Sequence, residues 1–163
     1  MNGRQAIEQL LSSSRLVLDR YLADLADEDL YVRPVPEAHT IAWQLGHLIL
    51  SEHMMLASIG CETLIDLPKG FEGIHSNSLG YAYQSDTGFR KSDYEKLRSL
   101  ERNALLNHLS SLPDDELALP GPEHMRAYAP TVGSVFIAVG SHEMLHAGQI
   151  VVSRRKLGKD ISI

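Results

Sequence analysis

The chain has 163 residues, enough for one domain with a substantial core, and a formal net charge of −6 that argues against a general nucleic-acid binder, whose footprint is basic surface. A single cysteine, Cys61, excludes an internal disulfide and fits a reducing compartment. No signal peptide precedes the first predicted helix and no apolar run looks long enough to span a bilayer, so the expectation is a cytoplasmic protein that engages no membrane.

The first predicted helix runs from about Gly3 to Leu25, with Ile7, Leu10, Leu11, Leu18, Tyr21, Leu22 and Leu25 on one stripe at helical spacing. Acidic residues and prolines from Asp27 through Pro34 and Pro36 stop it. The second helix starts after Thr40, a good N-cap, and ends by Gly60, with Trp43, His47, Leu50 and Met54 lining one face. A long connection from Cys61 to about Ser92 follows, rich in glycine and carrying Phe71, Tyr81, Tyr83 and Phe89 as aromatic anchors. Connections of that length are usually functional or serve as crossovers. Ser92 or Asp93 caps the third helix, whose apolar positions from Tyr94 to Leu109 keep the helical period to about Ser111. After a second long connection, Pro113 to Pro130, Thr131 caps the fourth helix. It ends near Gly158 behind Arg154, Arg155 and Lys156, cations that suit the negative end of the helix dipole.

No strand pattern competes, so the fold class is all-α, a single four-helix bundle spanning 1–163, in which metal sites form between facing helices. The run Leu22-x-x-Leu25-x-Asp27-Glu28-Asp29-Leu30 matches Leu109-x-x-Leu112-x-Asp114-Asp115-Glu116-Leu117, and each is followed by prolines and a threonine-capped helix. The match suggests two related helical hairpins joined by the connection after Cys61.

His142-Glu143-Met144-Leu145-His146 spells H-E-x-x-H, a signature of zinc proteases with the glutamate as general base. Helical positions i and i+4 share a face, so His142 and His146 can hold one borderline metal from the same side, while Glu143 points about 100° away. The protease form needs a third ligand downstream, yet only 17 residues follow His146 and their only acid is Asp160. The third ligand must therefore come from upstream. Of the eight histidines, only His47, His53 and His108 fall inside the other predicted helices. His53 lies about 240° around from His47 and should face away, and His108 sits among polar residues. If the second and fourth helices face each other, His47 completes a three-histidine site.

The segment Thr40-Ile41-Ala42-Trp43-Gln44-Leu45-Gly46-His47-Leu48 resembles the helix-two signature of the DinB-like family, and His142-Glu143-x-x-His146-Ala147-Gly148-Gln149-Ile150 resembles its helix-four signature. The helix lengths and the long connection between helices two and three match as well. The resemblance implies an up-down-down-up bundle with a long crossover between helices two and three. It also implies a divalent metal on His47, His142 and His146, and a homodimer.

Three histidines leave a coordination position for water or a small-molecule substrate, the catalytic rather than the closed structural arrangement. Similar proteins include hydrolases, and transferases that use a low-molecular-weight thiol. A thiol transferase is the leading expectation, a hydrolase of small amides or esters the alternative, and a non-catalytic dimer with a structural metal the third. Zn and Ni both suit imidazole ligands. Glu143 is the candidate general base, with a helix-surface role, or a supporting role behind the histidines, as its competitors. Gln44 and Gln149 are placed three residues from the histidines to hydrogen-bond them from behind. Trp43 fits core packing, and Ser51 could line the pocket. Arg90, Arg98, Arg102 and Arg126 are candidates for binding a thiol's carboxylates, against a solvated-surface reading. A thiol transferase should carry an arginine-lined pocket at the metal. Cys61, roughly 21 Å along a helix from His47, is an ordinary free thiol.

Overall fold

In a computed structural model describing residues 1–76 and 87–163, the chain is helical with no strand among the described residues. The helices are α1 Gly3–Leu22, α2 Ile41–Ser58, α3 Phe71–His75, α4 Lys91–Ser111 and α5 Val132–Lys156. Of the anchors expected in the long connection, Gly80, Tyr81 and Tyr83 lie outside the described residues.

Side chains set the helix starts. Asn2 Oδ1 accepts the Gln5 N–H at 2.9 Å and Gln5 Oε1 accepts the Asn2 N–H at 2.9 Å, closing a capping box on α1. Thr40 Oγ1 accepts the Trp43 N–H at 3.1 Å, and Thr131 Oγ1 accepts the Ser134 N–H at 3.2 Å, as expected for α2 and α5. α4 starts one residue earlier than Ser92. Arg90 takes the cap position, and Asp93 works from the first turn by accepting the Arg90 N–H at 2.8 Å. α1 stops at Leu22, short of the end of its apolar stripe, and Leu25 is buried just beyond the helix, 4% exposed. The repeated motif also repeats in form: 3-10 turns at Glu28–Tyr31 and Glu116–Ala118 follow α1 and α4 at matching places.

α1, α2, α4 and α5 bury their stripes on one another. Leu18, Leu22, Leu45, Ile49, Tyr94, Ala147 and Ile150 form one cluster, and Leu11, Leu56, Leu105 and Phe136 a second. Each such side chain removed from water contributes about 1.5–3 kcal/mol. Along α1 and α5, Ile7 lies by Gly133, Leu10 by Gly140, Ser14 bonds Glu143, and Tyr21 and Asp24 meet Arg154. A Cβ on Gly140 would sit 3.0 Å from the Leu10 Cγ, so the glycine lets these two helices approach closely. Across α2 and α4, His53 meets Glu101 and Glu52 meets Arg102; across α2 and α5, Gln44 meets His146.

One reading of the sequence needs correction. α5 is long and apolar enough to cross a membrane by length and composition alone, against the expectation that no run is. Its packing against α1 and α2 accounts for that composition: a helix shared by two neighbours buries more than one stripe.

Candidate metal centre

The i,i+4 spacing on α5 places His142 and His146 side by side, and the apolar face of α2 brings His47 to them. One nitrogen from each of the three lies within 4.8 Å of the others. The ring centroids of His47 lie 5.1 Å from His142 and 5.3 Å from His146. His146 is buried, while His47 and His142 are half-buried. Other side chains fix how each ring presents its nitrogens. Gln44, 3% exposed, is itself oriented: its Nε2 donates to the His39 carbonyl at 3.4 Å, so its Oε1 accepts from His146 Nδ1 at 3.1 Å. That leaves the lone pair of His146 on Nε2, facing His142 Nε2 at 3.1 Å. His47 donates Nδ1–H to the His75 carbonyl at 3.4 Å, which again frees Nε2. Trp43 stacks on the His47 ring at 4.7 Å with 7° between planes, so this buried indole holds a site histidine as well as filling the core.

The donor set fits a divalent ion. Two nitrogens bound tetrahedrally at about 2.0–2.1 Å lie about 3.3 Å apart, close to the spacing of the facing His142 and His146 nitrogens. The histidines are also kept neutral, as metal ligands must be. Burial, then the neighbouring His47, lowers His142 to about 4. Burial, then His142, His47 and His39, lowers His146 to about 3. Burial also lowers His47.

His75 was not anticipated. It ends α3 within the long connection, fully buried, with Nε2 3.5 Å from the Tyr94 hydroxyl and its ring packed on α2 at Gly46. A Cβ on Gly46 would lie 2.1 Å from the His75 ring, so only glycine admits the ring that brings the His75 carbonyl to His47. Glycine inside a helix costs about 1 kcal/mol relative to alanine, and its place beside His47 was the one available signal of this approach.

Glu143 goes elsewhere. It is 4% exposed and takes no part in the three-histidine cluster. Its carboxylate accepts from Ser14 Oγ at 2.7 Å, Arg102 at 2.9 Å and Arg98 at 3.1 Å. Burial alone would raise its pKa, but Arg102 and Arg98 outweigh it and hold the group below its ordinary value. A carboxylate engaged this way is a poor proton acceptor, and its burial rules out the helix-surface role. Its partners correct a second expectation: Arg98 and Arg102 are buried, not solvated, and Arg102 also reaches Glu52 at 3.4 Å. Gln149 is exposed on α5, unlike Gln44. His53 turns from the cluster to Glu101, 2.6 Å away, as its helical angle requires. His108 is half-buried, 6.1 Å from Phe136.

Two cavities open at the histidines. One of about 480 Å³ has Met55, Ile137, Ala138, Ser141, His142 and Tyr128 in its wall. The other, of about 640 Å³, has His47, Ser51, Met54, Met55, Glu72, His124 and Tyr128. Among the described residues, no lysine or arginine lines either. Arg90 is exposed at the α4 cap and Arg126 donates to the Gly121 carbonyl at 2.9 Å.

The family model described as the DinB superfamily matches residues 10–150 of the chain. No curated protein matches it.

Proposed function

The chain belongs to the DinB superfamily, and from that premise we propose that it is a divalent-metal enzyme acting on a small neutral carbonyl compound, an ester or amide that it hydrolyses. The observation that carries the proposal is the convergence of His47, His142 and His146, with His142 in the wall of one cavity and His47 in the wall of the other. The residue pairs rise together along α1 and α5, and along α2 and α4 the core passes from Leu45 and Ile49 with Tyr94 and Leu97 to Leu56 with Leu105 and Leu109, which supports an up-down-down-up bundle with a crossover between α2 and α4.

A zinc or nickel ion on the three histidines would supply a Lewis acid and lower the pKa of water in the coordination position the protein leaves open. The chain's own residues do the rest. Gln44 and the His75 carbonyl hold the tautomers of His146 and His47, and Trp43 holds the plane of His47. Ser51, whose Oγ lies 3.5 Å from His47 Nε2, offers a hydroxyl at the same spot.

The thiol-transferase reading required arginines at the pocket to hold the carboxylates of a thiol. Arg98 and Arg102 are spent on Glu143, and residues 77–86 contain no lysine or arginine. This favours hydrolysis. The homodimer and the cytoplasmic location belong to the same proposal, the first checked by the mass in solution.

The test is elemental analysis of the purified protein together with a screen of neutral esters and amides, with and without added thiol. Turnover without thiol that stops on chelation and returns with the metal supports hydrolysis. Turnover only with thiol restores the transferase. No turnover, with a melting temperature that falls on metal removal, makes the ion structural.

A further inference from the structure

We infer that the substrate carries an apolar group on each side of its reactive carbonyl, and that the two groups occupy separate lobes divided by Met55 and Tyr128. The inference rests on the carbonyl chemistry proposed above. Each cavity takes a different member of the cluster into its wall, His142 in the first lobe and His47 in the second. Met55 and Tyr128 border both lobes and so stand between them. A carbonyl held at the histidines therefore points its two substituents into different lobes.

The walls say what those substituents are. Ile137, Ala138 and Leu145 face the first lobe, and Leu50, Met54 and Ala57 the second. The polar groups among them are mostly serine hydroxyls, which tolerate neutral ester or amide dipoles. Among the described lining residues neither wall carries a lysine or arginine, and the second lobe carries the acidic Glu72 beside His124. An anionic group in either lobe meets no lysine or arginine there, and in the second it meets the like charge of Glu72. In ester hydrolysis the oxygen of water forms the new bond to the acyl carbon, the acyl C–O bond breaks, and a proton from the water ends on the leaving oxygen. The acid product then keeps its carboxylate at the histidines and its apolar group in one lobe, while the alcohol leaves with the other.

The lobes are tested with ketones, which keep the carbonyl but cannot be hydrolysed. Binding of 1,3-diphenylpropan-2-one, 1-phenylpropan-2-one and phenylacetate to the metal-free protein is measured by calorimetry, with Trp43, the only tryptophan, as a fluorescent reporter. The two-ring ketone is expected to bind about tenfold or more tighter than the one-ring ketone, since a second ring is buried, and phenylacetate not at all. Ala138→Phe, which fills the first lobe, and separately Ala57→Phe, which fills the second, are each expected to erase the advantage of the second ring. Because Ala57 is exposed, its variant keeps the test open if Ala138→Phe does not fold. Equal binding of the two ketones, or binding of phenylacetate as tight as theirs, overturns the inference. The zinc-loaded protein is then offered benzyl phenylacetate. Discrimination among ketones without ester turnover leaves the lobes standing and removes hydrolysis; turnover with equal ketone binding does the reverse.

Discussion

Gln44 Oε1 accepts the Nδ1–H of His146 at 3.1 Å, one link between α2 and α5 that acts directly on a metal-site histidine. By holding the proton on Nδ1 it leaves Nε2 as the donor toward the ion. Loss of such a partner usually costs about 10–100-fold in metal affinity. Gln44→Ala is expected to weaken zinc binding by that order in a competition titration against a chromophoric chelator. Gln149→Ala, on the exposed side of α5, should leave affinity unchanged. Equal effects of the two variants would remove the orienting role given to Gln44.

The three histidines themselves set a simpler expectation. His142→Ala and His47→Ala should each abolish stoichiometric zinc in elemental analysis, while His53→Ala, whose ring turns to Glu101, should retain it. Full occupancy in the His142 variant would show that the ion binds elsewhere.

The contact of Gly46 with the His75 ring predicts an unusual rescue. Gly46→Ala places a methyl 2.1 Å from the ring, which must shift and draw its carbonyl from His47. Overpacking of this kind costs about 1–3 kcal/mol. The single variant should lose both stability in urea and zinc affinity. Adding His75→Ala makes room for the methyl and should recover part of the stability. A double variant no more stable than Gly46→Ala alone would show that the glycine serves something other than the ring.

What was legible in the sequence follows from which interactions are local. The pairing of His142 with His146, and the face of α2 that carries His47 away from His53, are consequences of helical geometry and needed no neighbour. Glu143 was half-legible for the same reason: its angle on α5 was readable, but the partners at that angle, Ser14, Arg98 and Arg102, come from positions 129, 45 and 41 residues away. Arg98 and Arg102 looked like surface charges because Glu95 and Glu101 stand beside them in sequence, while the carboxylate they share, Glu143, lies on another helix. His75 lay in a connection without periodicity, so neither its burial nor its carbonyl's partner could be read from spacing. Gly46 carried a trace of it, since a glycine inside an otherwise good helix asks for something close by.

The Glu143 network separates structure from catalysis. Removing one partner of a buried ion pair leaves the others uncompensated, at a cost of about 3–5 kcal/mol. Glu143→Gln in the metal-free protein should lower stability by that order in urea unfolding. In the zinc-loaded protein, where it remains folded, the pH profile of turnover should keep its shape. A general base behaves oppositely: its loss would remove about 100-fold or more of turnover and the acidic limb of the profile with it. That result, with near-normal stability, would return Glu143 to catalysis.

The lowered histidines make the metal-free protein sensitive to mild acid. In the unfolded chain His75, His142 and His146 take up protons near pH 6.5, whereas in the folded chain burial delays this to about 4, 4 and 3. Between those limits the unfolded state binds more protons than the folded state, so stability falls as pH falls. The contribution of these groups is complete above pH 6.5 and shrinks steadily from there to about pH 3–4, at about 1.4 kcal/mol for each unit of difference per group. Urea unfolding of the metal-free protein from pH 8 to pH 4.5 should show this slope. His142→Phe, which keeps an apolar ring but cannot take a proton, should flatten it. An unchanged slope in that variant would mean that His142 is already accessible to protons in the folded chain.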